Sequence, residues 1–130
     1  MACIGNPATI LLVDDDESVR LLVRRILTGQ GYRVIECSDG VEALHIASLH
    51  DGPIHLLLTD IIMPKVNGLV LAEGLAEHRP EMIVRFMSGY IEAGIVSRTH
   101  PAAVLLQKPF TQDRLIEVVR AALACTAICF

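Results

Sequence analysis

Polar residues stand where four apolar runs stop. "TILLV" (Thr9–Val13) runs into Asp14, Asp15, Asp16 and Glu17, and "IHLLLTD" (Ile54–Asp60) ends in Asp60. "MIVRFM" (Met82–Met87) ends in Ser88, and "AVLLQ" (Ala103–Gln107) is followed by Lys108. Neighbouring carboxylates repel: two unit charges about 4 Å apart interact by roughly 4 kcal/mol at an effective dielectric near 20. Such acids either turn to water or surround a cation. Hard oxygen ligands suit Mg2+, which typically takes one or two protein carboxylates together with phosphate oxygens and waters. A carboxylate can also attack phosphorus and become an aspartyl phosphate. That transfer rests on positioning and charge neutralisation. A cation among the acids would neutralise the incoming group from one side and the Lys108 ammonium from another. The Ser88 hydroxyl could hydrogen-bond a phosphoryl oxygen.

These residues are useful only if the fold brings them together. The apolar runs are short and continuous, as in strands buried on both faces, and "YRVIEC" (Tyr32–Cys37) supplies a further strand. Helical stripes lie between them. Val19, Leu22, Val23, Ile26 and Leu27 form one, ended by "TGQG". Asp39 caps a helix from Gly40 to about Leu49. Leu69, Ala72, Leu75 and Ala76 face one way on a third helix, which stops before Pro80. A fourth covers about Ile91–Arg98, and Thr111 caps a fifth carrying Leu115, Val118, Val119, Ala122 and Leu123. Strands alternating with helices imply a parallel sheet with helices on both faces. Ligands then bind at the carboxyl ends of the strands, at a switch in strand order. That rule gathers Asp14, Asp15, Asp60, Ser88 and Lys108 on one edge.

Composition narrows the class. A chain of 130 residues, 52% hydrophobic, supports one domain with an aliphatic core, since aromatics are only 4% and Trp is absent. A net charge of −4 with no Lys/Arg cluster argues against direct nucleic-acid binding. No apolar run reaches membrane-span length, and "MACIGNPAT" is too short and polar for a signal peptide, so a soluble cytoplasmic chain is expected. Cys3, Cys37, Cys125 and Cys129 form no C-x-x-C pair and read as reduced thiols. His45, His50, His55, His78 and His100 show no metal-site spacing. "GQGYR" lacks the third glycine of a dinucleotide fingerprint and follows a helix instead of a strand.

The motifs "VDDDE", "LLLTDIIMPKVNG", "FMSG" and "QKPF", in that order and spacing, resemble the receiver domain of two-component response regulators from about Thr9 to Leu123. The resemblance implies a single receiver domain over 1–130 with its core at about 9–123. It implies a flavodoxin-like, doubly wound α/β fold: a five-stranded parallel sheet of order 2-1-3-4-5 with about five helices. It makes Asp60 the phosphoacceptor. Asp14 and Asp15 become the acidic pair that, with Asp60 and the backbone carbonyl of Ile62, holds Mg2+. Ser88 takes the switch position, and Lys108 contacts the phosphoryl group, with a cis bond to Pro109. The implied donor is a phosphohistidine on a histidine kinase or phosphotransfer domain. The output surface would be the last two helices with the fifth strand, and a phosphorylation-linked homodimer is consistent with it. Such a domain catalyses its own phosphorylation and dephosphorylation without being a turnover enzyme. "FMSGY" and "GPIHLLLTDIIMP" look most like receivers of hybrid sensor histidine kinases. One departure is Leu105, where many receivers carry a switching Phe or Tyr. Tyr90 and Ile62 occupy positions that tune the lifetime of the phosphoryl group.

Other readings compete. Asp16 and Glu17 open a helix, whose positive end favours acids by about 0.3–1 kcal/mol each. "VDDDES" also fits D-x-D-x-[ST], the pattern of a small Mg2+-dependent phosphohydrolase with Asp14 as nucleophile and Asp16 as acid/base. Such enzymes place a further acidic pair on a strand end after the Lys, whereas Asp113 and Glu117 lie within the final helix here. An interaction module that is never phosphorylated would not need the acidic pair, Asp60 and Lys108 together.

Overall fold

The computed structural model describes residues 7–126, leaving out the side chains of Tyr90, Ile91, Cys125 and Thr126. Strands and helices alternate: β1 (Thr9–Val13), α1 (Glu17–Gly29), β2 (Arg33–Cys37), α2 (Gly40–Leu49), β3 (Leu56–Asp60), α3 (Gly68–Ala76), β4 (Ile83–Ser88), α4 (Tyr90–Thr99), β5 (Leu105–Gln107) and α5 (Gln112–Thr126). The strands form one parallel sheet of order β2-β1-β3-β4-β5, the flavodoxin-like arrangement expected from the sequence.

Alternation along each strand divides the core. Ile10, Leu12, Leu56, Leu58 and Met87 face α1 and α5 through Val23, Leu27, Leu115, Val119 and Ala122. Leu11, Val13 and Leu57 face α2 and α3 through Ala43, Ala47, Leu71 and Leu75. Phe86 and Val96 form a smaller cluster with Ile61 beneath α4. β1 sits between β2 and β3 with both faces covered, which is why all five of its residues are buried.

Short polar side chains start the helices. The carboxylate of Asp16 accepts from the amides of Ser18 and Val19, and Asp39 accepts from Glu42 N–H. Asn67 accepts from Val70 N–H, and Thr111 Oγ1 from Arg114 N–H. Each cap satisfies amides that a helix start leaves without intrahelical partners.

Several details depart from the sequence reading. Leu22, expected in the apolar stripe of α1, is 55% exposed. Five stripe positions span more of the helix than the sheet and α5 cover. On the flank opposite Leu22, Arg20 and Arg24 turn toward Glu36 of β2. On α3 the buried positions are Leu71 and Leu75, while Leu69 and Ala72 are half-buried and Ala76 is exposed. A helix that is apolar nearly all round carries no stripe to read. β3 begins at Leu56 and β5 at Leu105, both two residues later than expected, while the helix expected over Ile91–Arg98 runs Tyr90–Thr99. Ile54 is nevertheless buried beneath the sheet. Cys37 is buried, and burial followed by the charge of Glu42 pushes its thiol up to about 12, so it packs as an inert apolar group. Cys3 and Cys129, and the side chain of Cys125, lie outside the described residues.

Candidate functional site

The sheet register assembles the site. Val13 pairs with Thr59, so Asp14 and Asp60 follow side by side at adjacent strand ends. Ser88 pairs with Gln107, so Lys108 follows one residue beyond. Side chains separated by up to 94 residues of chain thereby meet.

Every polar group of Asp14 is held. Its amide donates to the carbonyl of Cys37 on β2, and its carbonyl accepts from Arg20 Nη1 at 2.8 Å. Its Oδ1 accepts from the amide of Asp16 at 2.9 Å, and its Oδ2 accepts from Lys108 Nζ at 2.9 Å. Asp14 is fully buried, and a buried carboxylate persists only with such partners. Asp15 is exposed, and Asp60 is half-buried. One carboxylate oxygen from each of Asp14, Asp15 and Asp60 lies within 4.8 Å of the others. Asp16 stands apart as the cap of α1, and Glu17 lies in its first turn.

Lys108 Nζ also donates to Asp60 Oδ2 at 3.1 Å, bridging two of the three acids. Burial raises the Asp60 pKa above its ordinary value, and Asp14 adds to this, while Lys108 opposes it. The Lys108 pKa is raised too. Burial disfavours its charge, but the hydrogen bond and charge of Asp14, and then Asp60, outweigh that cost. The peptide bond from Lys108 to Pro109 is cis.

Ser88 is 1% exposed, and its hydroxyl has no hydrogen-bond partner. Its carbonyl accepts from Lys108 N–H at 2.7 Å, so Ser88 and Lys108 share a backbone contact. Ile62 lies in the loop after β3 and is 59% exposed. Tyr90 begins α4, and its side chain lies outside the described residues. Leu105 is half-buried against the Phe86 and Val96 cluster.

The loop from Asp60 to α3 is held by close backbone approach. A Cβ on Gly68 would meet the Asp60 carbonyl oxygen at 2.2 Å, and one on Gly40 would meet Val66 Cβ at 2.9 Å. The amide of Gly68 donates to Ile61 O at 2.8 Å. Lys65, within this loop, adopts φ 72°. Neither the reach of Arg20 nor the close packing of Gly68 is legible in the sequence. "DDDESVR" places Arg20 in the first turns of α1 beside the acids, but spacing does not say which carbonyl its guanidinium reaches.

Comparison with known proteins agrees with this geometry. Residues 10–120 match the family described as the response regulator receiver domain. The chain is 35% identical over 120 residues to the sensor kinase CckA of Brucella abortus (strain 2308), covering 90% of this chain and 13% of that protein. It is 32% identical over 112 residues to the response regulator receiver protein CpdR of the same organism, covering 85% of this chain and 92% of that one. Against the transcriptional regulatory protein CpxR of Escherichia coli (strain K12) it spans 48% of the relative's length, so it corresponds to only part of several curated relatives. Among solved structures, the receiver domain of the hybrid histidine kinase CckA superposes with a TM-score of 0.76 at 34% identity, covering 89% of this chain and 99% of that one. A response regulator receiver protein from Sinorhizobium medicae WSM419 gives 0.81 at 30% identity, covering 93% and 98%. Motif order, sheet order and the carboxylate–lysine edge converge on one conclusion: the chain belongs to the response regulator receiver domain family of two-component signalling.

Proposed function

We propose that Asp60 accepts a phosphoryl group from a phosphohistidine on a histidine kinase or phosphotransfer domain. A carboxylate oxygen of Asp60 attacks phosphorus as the phosphorus–nitrogen bond to the donor imidazole breaks. The leaving imidazole keeps the bonding electron pair and takes a proton from water. The unpartnered, buried Ser88 hydroxyl carries this reading. A buried polar group without a partner costs about 1–3 kcal/mol. A phosphoryl oxygen arriving at this edge supplies the missing partner. Lys108, already donating to Asp60, remains within reach of the new charge.

The donor set fits Mg2+, with hard oxygens gathered from Asp14, Asp15 and Asp60. These residues and the Ile62 carbonyl would hold the ion. When bound, it offsets the repulsion among the carboxylates and between Asp60 and the incoming phosphoryl group. Lys108, which donates to both Asp14 and Asp60, would share Asp14 with the ion and continue to orient Asp60. Asp16 caps α1 through Oδ1, and Asp113 and Glu117 lie in α5 and not at a strand end, which favours the receiver reading over the phosphohydrolase.

Phosphorylation adds roughly −1.5 to −2 charge. Ser88 and Lys108 are joined through Ser88 O and Lys108 N, so their movement would carry β4 and β5 with it. The α4–β5–α5 surface is the output, toward a partner protein or a second phosphorylated copy. No helix among the described residues is long and apolar enough to cross a membrane. We place this receiver unit, core about 9–123, in the cytoplasm, and in a hybrid sensor kinase by its likeness to the CckA receiver. Incubation with radiolabelled acetyl phosphate tests the chemistry. Incorporation should require Mg2+ and stop on chelation, and incorporation indifferent to Mg2+ contradicts the proposal.

A further inference from the structure

The main chain at the acidic pair is tethered by a residue that takes no part in the chemistry. Arg20 Nη1 donates to the Asp14 carbonyl at 2.8 Å, and Arg20 Nε donates to Glu36 Oε1 at 3.1 Å. The other oxygen of Glu36 lies 2.7 Å from Arg24 Nε. The Arg20 side chain is 14% exposed, against 41% for Arg24. Its own amide donates to Asp16 O, anchoring it in the first turn of α1. The guanidinium thus ties the start of α1 to the end of β1 and is aimed by the end of β2.

We propose that Arg20 is a positioning residue for the acidic pair, fixing the peptide plane between Asp14 and Asp15 so that both carboxylates face the cation position. This rests on the Mg2+ reading above. Asp14 has further anchors in Lys108, the Asp16 amide and Cys37, but Asp15 is exposed and gains little from surrounding side chains. The peptide plane from which Asp15 hangs is therefore the element that Arg20 controls. Glu36 aims the guanidinium and offsets its charge, so a cation sits near the site without strongly opposing a second one.

Charge and positioning predict opposite signs. Removing a nearby cation should tighten Mg2+ binding by charge alone, whereas losing the tether should weaken it. The test is a calorimetric Mg2+ titration of the full chain, with amide spectra of the Mg2+-free protein. Loss of an outer partner that orients metal ligands typically costs 10- to 100-fold in affinity, so Arg20→Met should raise the Kd about tenfold and displace the Asp15 amide resonance. Arg24→Met loses the same charge but no carbonyl contact, and should change the Kd less than about twofold by the same reasoning. Arg20→Lys should recover part of the loss, and Glu36→Gln should fall between. Mg2+ binding by Arg20→Met as tight as or tighter than the parent overturns the proposal. Should Arg20→Met not fold, unchanged affinity and an unmoved Asp15 amide in Arg20→Lys and Glu36→Gln overturn it equally. Asp15→Asn separates the two readings. If it binds Mg2+ undiminished, the metal assignment fails and the Asp15 amide alone decides the role of Arg20. If it loses Mg2+ while the Arg20 variants keep it, only the positioning role fails.

Discussion

Lys108 Nζ lies 2.9 Å from the fully buried Asp14 Oδ2, a contact that joins residues 94 positions apart. The ammonium occupies one lobe of the carboxylate cluster, satisfying Asp14 and Asp60 together. It therefore stabilises the fold and stands in for part of the charge that a divalent cation would bring.

Lys108→Met should accordingly destabilise the protein by about 3 kcal/mol, because it leaves a buried carboxylate short of a charged partner. A bound cation would restore that compensation. The rise in melting temperature on adding Mg2+ should therefore be larger in Lys108→Met than in the parent. Equal rises in both would show that Lys108 and the cation do not share the cluster.

Asp60→Asn should stabilise the chain at neutral pH. Burial raises the pKa of Asp60 in the folded state above its ordinary 3.8, so the folded protein holds this proton more tightly than the unfolded chain. Its favourable contribution is complete below 3.8 and is lost as pH rises through the folded pKa. The neutral carboxamide escapes that loss. Urea unfolding across pH should show an advantage for Asp60→Asn that is largest at neutral pH, shrinks through the folded pKa and disappears below 3.8.

How far these features were legible follows from the distance over which each is determined. Asp39, Thr111 and the acids at strand ends act locally. The cap of α2 and its Gly40–Leu49 span were readable from a few neighbouring residues. The gathering of Asp14, Asp60, Ser88 and Lys108 was also legible, because alternating strands and helices admit few topologies and place strand ends on one edge. Leu22 was not, since exposure depends on how much of α1 its neighbours cover. Arg79 was not either. Its guanidinium donates to the carbonyls of Ala47, His50 and Gly52, closing the end of α2 from beyond α3, and no spacing rule connects an arginine with carbonyls 27 to 32 residues away.

Arg79→Ala should cost about 2 kcal/mol of stability, since several charge-assisted hydrogen bonds to α2 disappear together. The contact lies at the opposite end of α2 from the Asp39 cap, so Mg2+ affinity should stay at the parental value in a folded sample. Loss of Mg2+ binding in proportion to loss of stability would contradict that independence.

Gly68→Ala should disturb both stability and chemistry. A Cβ placed 2.2 Å from the Asp60 carbonyl oxygen forces the backbone after β3 to move. The expected cost is about 3 kcal/mol, at the upper end for added volume in a packed site. Acetyl-phosphate labelling should slow at temperatures where the variant is still folded. Labelling at the parental rate would show that the Asp60 loop tolerates a shift of its backbone.

On the proposed chemistry Asp60, and no other acid of the cluster, takes the phosphoryl group. Borohydride reduction of the Mg2+/acetyl-phosphate-treated protein converts an acyl phosphate to the corresponding alcohol, which peptide mass spectrometry can place in the sequence. The alcohol should appear at position 60 in the parent and be absent from Asp60→Asn. Its appearance at Asp14, or its persistence in Asp60→Asn, would contradict the assignment of Asp60.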